Sequence, residues 1–133
     1  EGVNSITFQG KIENLEIVLE GIMIEIITVH FISPTPLKLT KELKDLCLKR
    51  AITFVDIEGS VSFDYLGNLA RKGKWLNSKE EAFDELHELM KITENADLKI
   101  ACASNTYFQK SGATVSQQIG IALAQGVEYL KLL

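Results

Sequence analysis

Apolar residues recur along this chain in two rhythms, and the change between them divides it. The first third is rich in β-branched residues: Ile6-Thr7-Phe8, then Ile12 to Leu19, then Ile22 to Ile32, separated by Gly10 and Gly21. If the second segment is extended, Leu15, Ile17 and Leu19 lie on one side and Glu16, Val18 and Glu20 on the other, the alternation of a half-exposed strand. The third segment, Met23 to Phe31, is more uniformly apolar, as a central strand covered on both faces would be. The start of the chain therefore reads as a hairpin-like N-terminal addition to the domain.

Beyond residue 34 the spacing lengthens towards that of a helix. Thr35 followed by Pro36 predicts an N-cap and first helical residue, because proline lacks only a proton that would be unpaired there. Leu39, Leu43, Leu46 and Cys47 then share one face of a helix ending near Arg50. Ile52 to Ile57 predicts a short strand closed by Glu58-Gly59. Ser60 to Trp75 fits a loop or a short helix. Ser78-Lys79-Glu80-Glu81 reads as a capping box opening a helix whose buried stripe is Phe83, Leu86, Leu89 and Met90. Leu98 to Cys102 predicts another strand. After a polar connection from Ala103 to Thr114, residues Val115, Ile119, Ala122 and Leu123 return at helical spacing. Gly120 costs that helix about 1 kcal/mol relative to alanine. Gly126 is expected to end it, and Val127 to Leu130 to form a last short strand. Strands alternating with helices predict a single α/β domain over residues 1–133, a three-layer sandwich with a mainly parallel sheet.

Composition narrows the classes of function. With 133 residues the chain can bury roughly two thirds of its unfolded surface without a metal or disulfide to help. Fourteen Lys plus Arg against 18 Asp plus Glu give a net charge of -4, which argues against non-specific nucleic-acid binding. The longest apolar-rich run, Ile22 to Ile32, is about half of what a membrane helix needs. No membrane partner is expected. The opening Glu1-Gly2-Val3-Asn4 has neither an initiator methionine nor the basic-then-apolar order of a signal peptide. With only Cys47 and Cys102 present, a reducing compartment and a cytoplasmic location are expected.

Ligands of open α/β sheets collect beyond the carboxyl ends of the strands. Three stretches are candidates: Ser33-Pro34-Thr35, Asp56 with Glu58-Gly59-Ser60, and Cys102 to Thr106. Cys102 closes a strand ahead of Ser104, Asn105 and Thr106, any of which could cap a helix whose free backbone protons would stabilise a thiolate. Asp56 and Glu58 have same-side parity and could form a ligand site that binds a cation or does acid–base work at the sheet edge. His30 suits either a hydrogen-bonded core position or a base. Arg71, Lys72 and Lys74 beside Trp75 form a basic-aromatic cluster, for which a solvated loop is the plainer reading. No glycine-rich phosphate fingerprint, zinc-protease helix, nucleophile elbow or EF-hand spacing occurs, so neither a cofactor nor a metal is called for.

The helix around Leu86 to Ile92, the strand Leu98 to Cys102, the polar segment reaching Gly112 and the closing Gly126-Val127-Glu128-Tyr129 resemble the ending of the DsrE-like sulfur-relay proteins. The resemblance covers about 50 residues. It implies a compact homo-oligomer with a protein partner in a relay, and Cys102 matches the relay cysteine. The family's usual loop and alanine-rich helix after the first strand are missing. Two functional expectations result: a thiol- or sulfur-handling protein using Cys102, or a non-catalytic ligand-binding or regulatory subunit.

Overall fold

Four short strands line up in chain order as one parallel sheet: β1 (Ser5–Gln9), β2 (Thr28–Ile32), β3 (Gly59–Phe63) and β4 (Leu98–Ala101). The computed structural model describes residues 2–133. Its α/β fold, a parallel sheet flanked by helices, is consistent with the three-layer sandwich predicted from the alternation of elements. The helices are α1 (Leu15–Val18), α2 (Pro36–Lys49), α3 (Tyr65–Lys72), α4 (Lys79–Thr93), α5 (Thr106–Lys110) and α6 (Val115–Leu132). The chain forms two compact units, residues up to Phe63 with Glu88–Ala101, and Asp64–His87 with Cys102–Leu133.

In the first unit the helical spacing of α2 is borne out. Pro36 is its first residue, Arg50 caps its end, and Leu39, Leu43, Leu46 and Cys47 are all buried. They pack with Leu15 and Leu19 against Val29, Phe31 and Val61, with Ile6 and Phe8 at the margin. The Phe8 and Phe31 rings stack at 5.4 Å. Burying side chains of this size stabilises by about 1.5–3 kcal/mol each before entropy is counted.

The N-terminal segments depart from their expected form. β1 and β2 are parallel, so they form no hairpin. The segment read as a half-exposed strand contains α1 instead, because the Asn14 side chain accepts the Ile17 N–H at 3.2 Å and so opens a helical turn. Leu15 and Leu19, one turn apart, are then both buried. Of the long apolar run only Thr28–Ile32 is strand. The Ile22 N–H is bound to the Leu19 carbonyl and the Ile26 N–H to the Met23 carbonyl, so this backbone makes turns rather than a ladder. The Arg50 guanidinium donates to the carbonyls of Leu19 (2.7 Å) and Ile22 (2.9 Å), which holds the turns against the end of α2.

The strand expected at Ile52 to Ile57 lies a few residues later. Phe54–Asp56 is a 3-10 turn and β3 begins at Gly59. Gly59 is no strand terminator. Its φ is 146°, and a Cβ there would collide with the Val29 carbonyl, so glycine lets β3 approach β2.

In the second unit α3 is opened by Asp64, whose carboxylate accepts the Gly67 N–H at 2.8 Å, and closed by Gly73 in the left-handed region. The Ser78 hydroxyl accepts the Glu81 N–H at 3.0 Å, one of the two bonds of the expected capping box. Phe83 and Leu86 are buried, as is Leu89 further along α4, whereas Met90 is exposed. Thr114 and Gln117 form a reciprocal capping box at the start of α6. This helix runs through Gly126 to Leu132, so no final strand forms. Tyr129 explains the continuation: its buried ring meets Phe83, and its hydroxyl is bonded within the same unit. Val115, Ile119 and Leu123 face outward.

Candidate functional site

The sheet has one apolar and one polar side. Parallel strands in register present partnered residues on the same face, and the register places Thr7, His30, Ser60 and Lys99 side by side across β1, β2, β3 and β4. Ser5 and Thr28 flank this row below, and Gln9, Ile32 and Ser62 above. The intervening positions Ile6, Phe8, Val29, Phe31, Val61 and Leu98 belong to the apolar core. Alternation of period two therefore gives the first unit a polar sheet face.

At its centre His30 Nδ1 and Ser60 Oγ lie 2.9 Å apart. Whichever atom carries the proton, this bond fixes the imidazole and leaves Nε2 for another partner. Both residues are half-buried, Ser62 is only 6% exposed, and Thr7 and Lys99 are open to solvent. Burying polar groups is unfavourable unless their hydrogen bonds are met. A row of hydroxyl, imidazole and ammonium groups is suited to a ligand carrying carbonyl, amide or anionic groups.

The second unit gathers several of the residues that the sequence singles out, in a structural arrangement. Asp64 is its hub. Its carboxylate accepts the Gly67 N–H, the Ser104 N–H at 2.8 Å, and the Tyr129 hydroxyl at 3.4 Å. The Tyr129 oxygen accepts the Leu66 N–H at 3.2 Å, and the Tyr65 hydroxyl donates to Glu85 at 2.7 Å. Burial first, then the neighbouring carboxylates, hold both tyrosines protonated well above their ordinary range.

Cys102 is half-buried here, and burial followed by the Asp64 carboxylate raises its thiol pKa. That is the reverse of the activation expected for a strand-end thiolate. Cys47 is buried on α2, with its thiol also pushed up by burial. Neither cysteine is paired. Ser104 and Thr106 bond each other, Oγ to Oγ1 at 3.3 Å, and the Ser104 hydroxyl accepts the Thr106 N–H at 3.4 Å, a local turn leading into α5. Asn105 precedes α5 without a side-chain cap, and its Oδ1 is buried without a partner.

Asp56 and Glu58 are exposed and precede β3, at the amino edge of the sheet rather than the carboxyl edge. The consecutive order of the strands also provides no reversal at which a doubly wound sheet opens a crevice. Among the described residues no group of three or more His, Cys, Asp or Glu could hold a metal ion. Trp75 packs edge-on against Phe83 at 6.1 Å, and Arg71 reaches Asn68. Thr7 and Lys99 carried no sequence signal of their own, because the row becomes visible only once β3 is shifted to Gly59–Phe63.

Fold and face together define an α/β protein whose parallel sheet carries a polar face. The comparisons give this class a family. The profile described as Methylmalonyl-CoA mutase matches residues 6–133, and the chain belongs to that family. No curated protein and no solved structure matches the chain.

A match over nearly the whole chain overturns the DsrE-like resemblance, which rested on a strand, a helix and one cysteine in the last third. The sulfur-handling function of Cys102 falls with it. So do the homo-oligomer and the relay partner, which nothing else in the structure supports. No helix among the described residues is long and apolar enough to cross a membrane.

Proposed function

We propose that this chain is a ligand-binding, non-catalytic component of the methylmalonyl-CoA mutase family, holding a coenzyme A thioester over the polar face of its sheet. The observation that carries the reading is the cross-strand row Thr7, His30, Ser60 and Lys99, with His30 fixed by Ser60 at 2.9 Å. The family supplies the ligand class, since the name methylmalonyl-CoA denotes a thioester with a free carboxylate. The groups on this face bind rather than react. Two unpaired thiols support a reducing compartment such as the cytoplasm.

The test is amide NMR of the labelled protein titrated with methylmalonyl-CoA. Resonances of Thr7, His30, Ser60 and Ser62 shift in a saturable way if the reading is right. Shifts confined to α5, α6 or the Asp64 cluster would place the ligand elsewhere and reject this site.

A further inference from the structure

The polar row is uneven in charge, and the unevenness assigns a direction to the ligand. Resting on the reading above, we infer that Lys99 is a specificity-determining residue that takes the free carboxylate of the acyl group, while His30 and Ser60 face the uncharged thioester. Lys99 is the only Lys, Arg, Asp or Glu of the row, and it makes no ion pair among the described residues. Its register partner is Ser60, before the irregularity that shifts β4 between Ser60 and Phe63. Leu98, its neighbour in β4, belongs to the apolar core, so Lys99 lies on the polar side.

Distance selects the acyl carboxylate over the phosphates of coenzyme A as the anion. From β2 to β4 is two strand spacings, about 10 Å between backbones, and a lysine side chain covers several ångströms of that gap. The carboxylate of a malonyl-type group sits two carbons from the thioester carbonyl, within that span. The phosphates lie beyond the whole pantetheine arm. With the thioester at His30 and Ser60, the arm leads away from Lys99, towards β1 or along the strands.

The experiment compares the binding of methylmalonyl-CoA and propionyl-CoA, which differ by the carboxylate, to the unmodified protein and to Lys99→Gln and Lys99→Arg. The unmodified protein is expected to prefer methylmalonyl-CoA by about threefold to tenfold, the lower end reflecting solvent screening at an exposed lysine. Lys99→Gln should remove most of the preference by weakening methylmalonyl-CoA more than propionyl-CoA, and Lys99→Arg should retain it. Lys99→Gln weakening both ligands alike would mean that this lysine meets a phosphate, and would overturn the inference. Equal binding of both thioesters to the unmodified protein would also overturn it, with the thioester site left standing. Failure of either thioester to bind would instead remove the proposed function itself. The thermal midpoints of the variants identify any loss caused by unfolding.

Discussion

Asp64 shows how one side chain can be both indispensable and chemically quiet. Its carboxylate caps α3 and gathers the Ser104 N–H and the Tyr129 hydroxyl. Asp64→Ala strands a helix-terminal N–H and removes the acceptor for the other two donors, and should lower stability by about 2 kcal/mol, read as a shift in the denaturant midpoint. Asp64→Asn keeps the cap but turns an amide N–H towards the Ser104 N–H, or flips and loses the cap, so an intermediate loss is expected. Cys102 is its passive neighbour. Alkylation of the native protein followed across pH should give Cys102 a midpoint above that of a free thiol, about 8.5, with Cys47 protected until unfolding. A Cys102 midpoint near 7 would contradict this picture of its surroundings.

At the scale of elements, what was legible in the sequence depended on whether a local signal had a competitor. The α2 stripe Leu39, Leu43, Leu46 and Cys47 had a proline start and no rival pattern, and it was read correctly. The capping residue Ser78 likewise marked the start of α4. Around Ile12 to Ile32, β-branched content outweighed the weaker signal of Asn14, although Leu15 and Leu19 are as well spaced for a helix as for a strand. Glycine's frequent place just past helix ends makes Gly126 a stop by local pattern, but Tyr129 is held by contacts distant in sequence that no local pattern reveals. The same limit hid the polar face. Ser60 and Ser62 look like loop residues until the register with His30 and Ile32 is known. Gly59 is the residue on which that register depends. Gly59→Ala should cost at least about 3 kcal/mol or prevent folding, because the added methyl meets the Val29 backbone rather than a movable side chain. A Gly59→Ala protein of unchanged stability would show that β3 does not approach β2 in this way.

For the whole molecule, the raised pKa values of Cys47, Cys102, Tyr65 and Tyr129 set an alkaline limit. Each group holds its proton more tightly in the folded than in the unfolded state. Each contribution is therefore complete below the unfolded pKa, about 8.5 for a thiol and 10 for a tyrosine, and is lost as pH rises towards the higher folded value. The unfolding midpoint should be unaffected by these groups at neutral pH and fall progressively above about pH 9. Tyr65→Phe should reduce the slope above pH 10, where the unfolded tyrosine would otherwise ionise. The proposed ligand binding depends on the polar face of the sheet. Its most direct test is calorimetric titration of methylmalonyl-CoA into the unmodified protein and His30→Ala. Saturable binding at one site per chain is expected, weakened about tenfold or more in His30→Ala, whereas no binding, or equal affinity in the two proteins, would show that the sheet face does not hold the thioester.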